Sequence, residues 1–87
     1  MKPSIGRVVT TLGVQSNGSN EHPALVNRVW FAHDTNDGPG MVNLTIFPDM
    51  GAPTPRGSVY LHETREEAEK YLAEHPGNIA AFWPERV

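Results

Sequence analysis

The segment His33-Asp34-Thr35-Asn36-Asp37-Gly38 places an imidazole and two carboxylates within a short polar stretch, the donor types of a cation site. An EF-hand calcium loop needs oxygen donors at alternate positions, glycine at the sixth and glutamate at the twelfth. Counted from Asp34, the glycine arrives one residue early and Thr45 stands where glutamate is required, so the spacing favours a hairpin loop over a metal site. The remaining histidines, His22, His62 and His75, are scattered, with no spacing that sets two of them on one face to hold zinc. They read as structural or solvent-exposed. Ser4, Ser16, Ser19 and Ser58 lie outside any Gly-x-Ser-x-Gly elbow. No glycine-rich loop passes from a strand into a helix to cradle phosphate. The carboxylates gather on one helical segment, where a solvated face is their ordinary home. Neither a catalytic set nor a cofactor or metal site emerges, and the chain reads as a non-enzyme.

Aromatic and guanidinium groups carry the stronger signal. Trp30, Phe31, Tyr60, Phe82 and Trp83 fall on three segments of strand character. Successive strand residues point to opposite faces, so one member of Trp30/Phe31 and one of Phe82/Trp83 should lie outside a β core. An outward aromatic beside Arg28 or Arg86 suits a protein interface, where Trp, Tyr and Arg are enriched, and equally suits stacking of a base or nucleotide. The blander account is that a small core needs large side chains. A third is that the outward pair is covered by the helix, through Tyr71 and Leu72. The candidate binding set is Trp30, Arg28, Trp83, Arg86, Tyr60 and His33.

The elements that must position these residues are short. Eight glycines and eight prolines punctuate 87 residues. Strands are expected over Ile5–Leu12, Ala24–Ala32, Met41–Phe47, Ser58–His62 and Ile79–Trp83. Residues 13–23 read as a loop turning at Asn17-Gly18, and residues 33–40 as a second loop closing at Asn36-Asp37-Gly38. Ala24 and Val26 share one phase while Val29 and Phe31 share the other, which a bulge near Asn27-Arg28 would reconcile. Val42, Leu44 and Ile46 alternate cleanly with Asn43 and Thr45, marking a central strand. Prolines 48, 53 and 55 predict an irregular connection over 48–57. Thr64-Arg-Glu-Glu is a capping box, and Ala68, Tyr71 and Leu72 form a narrow apolar stripe. Pro76 and Gly77 stop the helix after His75. So short a helix is marginal alone and must dock on the sheet. The fold class is mainly β with one short helix (α+β): a small SH3-like five-stranded barrel or roll, with the helix inserted before the last strand.

Length allows one domain over residues 1–87. Such a chain buries only about 60–65% of its unfolded surface, and it has no cysteine to staple it. No apolar run is long enough to span a bilayer, and no leader-like stretch follows Lys2. The sequons at Asn17 and Asn43 therefore read as chance, and a cytoplasmic location is expected. The net charge is −3. It resides in residues 63–75, where Glu63, Glu66, Glu67, Glu69 and Glu74 face Arg65 and Lys70; the remainder balances five acids against five bases. With no basic face, double-stranded nucleic acid is not an expected partner.

The opening Lys2-Pro3-x-x-Gly6-Arg7-x-Val9 and the ending Trp83-Pro84-Glu85-Arg86 resemble a family of small tailed-phage and prophage proteins of uncharacterised activity. The resemblance extends through Pro23–Trp30 and the Val42–Phe47 strand. It implies a small β-barrel. Relatives carry a short turn where this chain has its acidic helix, so a shared C-terminal surface is not implied. The resemblance further implies a phage accessory protein of host-takeover or counter-defence type, acting in the host cytoplasm through its aromatic/arginine surface on a host protein or small ligand. Two alternatives stand beside it. One is a virion structural or assembly component. The other is an oligomeric protein that sequesters a signalling nucleotide, which would need Arg7, Arg28, Arg56 and Arg86 to converge. A homo-oligomer would stabilise so small a domain by burying its outward aromatics.

Overall fold

The computed structural model describes residues 2–33 and 38–84. Its longest local feature is a hairpin. Asn17 and Gly18 have φ of 52° and 82°, positive at both central positions as a type I′ turn requires, and that turn matches the twist of the flanking strands. The strands run right up to it. β1 spans Val8–Ser16 and β2 spans Ser19–Phe31, with Ser16 paired to Ser19. Residues 13–16 and 19–23 are thus hairpin arms, not the expected loop, and Ile5–Arg7 precede β1 instead of opening it. Gly13, at φ 114°, is where β1 passes closest to the chain before the last strand. A β-carbon there would sit 2.7 Å from the Asn78 carbonyl oxygen.

β3 (Gly40–Ile46) pairs with β2, and β4 (Thr54–His62) pairs with β3, both antiparallel. β4 begins four residues earlier than expected, so the irregular connection contracts to the residues between β3 and β4. β5 (Ala80–Phe82) pairs antiparallel with β1 and parallel with β4, closing a five-stranded barrel. This is the mainly-β, SH3-like arrangement expected, with the helix α1 (Arg65–Glu74) before the last strand. Strict alternation along β3 buries Gly40, Val42, Leu44 and Ile46. Val42, Leu44 and Ile46 join Val9, Ala24, Val26, Val59, Leu61, Ala81 and Trp83 in the barrel core.

α1 is capped as read. Thr64 Oγ1 accepts from the Glu67 amide at 3.2 Å. The return bond differs: the Glu67 carboxylate accepts from the Glu63 amide, not from that of Thr64. The predicted stripe packs outside the barrel, Ala68 with Leu12, Ala80 and Phe82, flanked by Tyr71 and Leu72. Phe82 is therefore the outward member of its pair, and the helix covers it, while Trp83 joins the core.

The environments of the two tryptophans predict opposite responses to truncation. Trp83→Ala should cost about 3–5 kcal/mol, whereas Trp30→Ala, on a residue 47% exposed, should cost under about 1 kcal/mol. Urea denaturation followed by circular dichroism measures both, and equal losses would contradict this placement.

Candidate functional sites

Two bulges shape the outer face of the β2–β3–β4 sheet. Val26 pairs with Leu44 and Arg28 with Asn43, leaving Asn27 as the extra residue, where the phase break predicted it. A second shift follows at once: Val29 pairs with Val42 and Phe31 with Met41, so Trp30 is also extra. The expectation that Trp30 and Phe31 point to opposite faces fails for this reason. Val42 is in the core, so its neighbour Met41 faces outward, and Phe31 opposite Met41 shares that face. Across β4, Ser58 has φ 55°, and the register slips between Val42 and Leu44.

These irregularities turn Asn43 into a junction. Its Oδ1 accepts from the Trp30 indole Nε1 at 2.7 Å and from the Ser58 amide at 2.8 Å. The Arg28 guanidinium lies 3.8 Å from the Trp30 ring centroid, a close cation–π contact. Beside them, Thr45 donates to Asn27 Oδ1 at 2.7 Å. An open groove follows, lined by Asn27, Asn43, Leu44, Pro55, Arg56 and Gly57. Trp30 is thus exposed yet held on one side by a cation and at its polar edge by an amide. Of the predicted site residues, the structure brings Trp30 and Arg28 together here. Tyr60 pairs with Met41 on the same outer face and makes an edge contact with Tyr71, at 5.6 Å between centroids. Asn43, which accepts from the Trp30 indole, was read as an outward strand residue and a chance sequon, not as part of the site.

The second site lies where α1 overhangs the barrel end. A cavity of about 610 Å³ is walled by Pro3, Ala32, Pro39, Leu61, Tyr71 and Trp83, with His33, His62, Glu63, Glu67, Lys70 and Glu74 supplying polar groups. Two predicted binding residues, His33 and Trp83, are brought here, away from Trp30. Arg7 stands 5.4 Å from the Trp83 ring centroid. Of the four arginines expected to converge on a nucleotide, Arg7 therefore serves one tryptophan and Arg28 the other. Arg86 lies outside the described residues, as do Asp34, Thr35, Asn36 and Asp37 of the candidate metal loop. Among the described residues no three His, Asp or Glu groups gather to hold a metal ion.

The histidines divide sharply. His22, expected in a loop, is buried in β2. Its Nε2 donates to the Val14 carbonyl at 2.8 Å, and its Nδ1 accepts from the Asp49 amide at 3.3 Å. One tautomer satisfies both. His75 caps α1, its ring stacked on Tyr71 at 4.4 Å. His62 is different. It is only 6% exposed, and its Nε2 is both shielded and without a hydrogen-bond partner. The sequence reads it, at the end of a strand, as structural or solvent-exposed, and gives no sign that the helix covers it.

Burial pushes the His62 pKa below its ordinary 6.5, while the nearby Glu67 carboxylate pulls it partway back. The unfolded chain therefore takes up a proton at a pH where the folded protein does not. Stability is insensitive to this group well above pH 6.5, and falls as pH drops from there through the lower folded value. Thermal melts from neutral to mildly acidic pH should show this decline, and His62→Phe should flatten it. An unchanged slope in the variant would assign the decline to other groups.

Comparisons with protein-family models, with curated proteins and with solved structures find no match.

Proposed function

We propose that the protein is a non-catalytic binding module whose recognition face is the outer surface of β2–β4 centred on Trp30, and that its partner is an acidic segment of another protein. The observation that supports this most is the treatment of Trp30. A large aromatic side chain left 47% exposed is nevertheless ordered by Arg28 and Asn43 before any partner arrives. Pre-ordering removes part of the entropy that binding would otherwise cost. Aromatic and arginine side chains of this kind dominate interface energetics. The groove beside Trp30 is lined by amides, apolar groups and the cation Arg56, and with Arg28 it presents positive charge. Electrostatic complementarity then selects a partner rich in Asp and Glu. If the phage or prophage origin implied by the sequence resemblance holds, that partner is a host protein and the site of action is the host cytoplasm.

The test is affinity capture from cells of origin with three forms of the protein: wild type, Trp30→Ala and Arg28→Ala. A partner retained stoichiometrically by the wild type should be weakened at least about 30-fold by Trp30→Ala, the loss of about 2 kcal/mol expected of a central aromatic. Arg28→Ala should act in the same direction, and added salt should weaken binding further. Capture that is indifferent to both substitutions overturns the reading.

A further inference from the structure

The side chains that line the groove beside Trp30 offer it hydrogen-bond donors and almost no acceptors. A carboxamide has one acceptor oxygen and two N–H donors, and both asparagines of the groove have their oxygens engaged within the fold. Asn43 Oδ1 accepts from the Trp30 indole at 2.7 Å and from the Ser58 amide at 2.8 Å. Those two partners can only donate, so the oxygen must face them and the amide nitrogen must face away. Asn27 Oδ1 accepts from the Thr45 hydroxyl at 2.7 Å. What remains for the groove is Nδ2 of each, and neither has an acceptor among the described residues. Arg56 is the third polar residue of the lining, and a guanidinium carries donors only. Its one hydrogen bond runs to the Pro55 carbonyl at 3.2 Å. Gly57 keeps the groove open: a β-carbon there would stand 3.4 Å from Asn43 Oδ1.

The strands that build the groove supply no carboxylate to these donors. Residues 23–31 of β2, all of β3 and all of β4 contain neither Asp nor Glu. Glu21, further back on β2, is paired with Arg65 at 2.7 Å. Asp49 accepts from the Asn17 amide at the hairpin tip. The other acids among the described residues lie between Glu63 and Glu74, on or beside the helix that covers β5. Arg28 adds a second cation to the groove's own face, against the Trp30 ring.

We infer that this groove is a subsite for a single carboxylate, the Asp or Glu side chain of an acidic segment, received by Nδ2 of Asn27 and of Asn43 and by the guanidinium of Arg56. The inference rests on the recognition face proposed above and specifies what that face reads. A carboxylate presents acceptors only, in one plane, and matches amide N–H groups and a guanidinium fork. A phosphate monoester carries nearly two charges and is ordinarily held by a cluster of arginines. One guanidinium with two neutral amides fits the single charge. The volume, about 320 Å³, is at the lower end for ligand sites and suits one side chain. Asn43 couples the subsite to the tryptophan. An anion on its Nδ2 polarises the amide, and Oδ1 then accepts more strongly from the indole.

Isotope-labelled full-length protein, titrated with tetraglutamate, tetraglutamine and inorganic phosphate at constant ionic strength and followed by NMR, provides the test. Tetraglutamate should shift the side-chain amide signals of Asn27 and Asn43 and the indole signal of Trp30. It should bind at least about tenfold more tightly than tetraglutamine or phosphate. Arg56→Gln, at an exposed residue, should weaken it by a similar factor with an unchanged melting temperature. Asn27→Asp separates fold from binding. Its carboxylate still accepts from Thr45 but replaces the remaining donor with an anionic oxygen, so the fold should persist and tetraglutamate binding should be lost. Phosphate or tetraglutamine binding as tightly, no shifts at Asn27 and Asn43 at millimolar peptide, or indifference to both variants would overturn the subsite. The titration needs no cellular partner, so the two readings fail separately. A captured protein lost with Trp30→Ala but unaffected by Asn27→Asp keeps the recognition face and removes the subsite. Tetraglutamate binding as expected, with capture indifferent to Trp30→Ala, keeps the subsite and removes the wider reading.

Discussion

The structure depends on a closure three residues long. β5 is only Ala80–Phe82, yet its backbone bonds to β1 on one side and to β4 on the other. The barrel stays closed only if that seam holds, and three residues supply few hydrogen bonds to hold it. The side chains make up the difference by dividing their duties. Ala81 faces inward and, being small, lets the walls meet. Ala80 and Phe82 face outward, where Ala68, Tyr71 and Leu72 of α1 cover them. The helix is therefore the outer half of the seam. Its sequence is weakly apolar because it needs to bury only one narrow stripe, and the remaining face is free to carry charge.

Placing the helix over the seam explains both the cavity and its histidine. His62 pairs with Phe82 in the parallel register of β4 and β5, so it lies at the edge of the surface the helix covers. The stripe reaches Phe82 fully and His62 only through Tyr71. The result is an imidazole whose Nε2 is shielded from water and has no hydrogen-bond partner. Arg65 anchors the other end of the helix, bridging to Glu21 at 2.7 Å and lying 4.9 Å from the Phe82 ring centroid. The ion pair is half-exposed, so it contributes under about 1 kcal/mol and serves mainly to fix the helix's angle.

Much of the barrel was legible because the core strands obey simple periods. β3 alternates without a flaw, and Thr64 with Glu67 marks the helix start as the capping rule requires. The phase break in β2 located the bulge at Asn27. The hairpin arms were hidden because Gln15, Ser16, Ser19, Asn20 and Glu21 look like loop residues. They form strand because a two-residue turn with positive φ at Asn17 and Gly18 brings their backbones into register, whatever their side chains prefer. Pro55 and Gly57 likewise disguised the start of β4. Since β5 reaches β4 only at Leu61 and His62, the earlier residues of β4 form an edge, where proline is tolerated. The second bulge, at Trp30, leaves no trace in hydrophobic period, because Trp30 and Phe31 are both large and apolar. It is a product of register on both sides of β3.

That second bulge lies at the centre of the surface around Trp30. Arg28 and Trp30, two residues apart, share a face in any strand. The extra residue brings Phe31, which a regular strand would have turned inward, to that face as well, and the slip in β4 brings the Ser58 amide to Asn43. Asn43 Oδ1 then accepts from two strands at once, from an indole on β2 and an amide on β4. An asparagine at the centre of a sheet is an unfavourable choice by strand propensity. Here its amide meets a donor from each neighbouring strand, which a β-branched apolar residue could not do. The two irregularities thus compensate one another through one side chain, and the compensation holds an exposed tryptophan in a fixed orientation. The cationic face around Trp30 and the acidic helix beside β5 are consequences of one economy: a core built from β3 and its neighbours that leaves bulges and a seam as the places where function can be added.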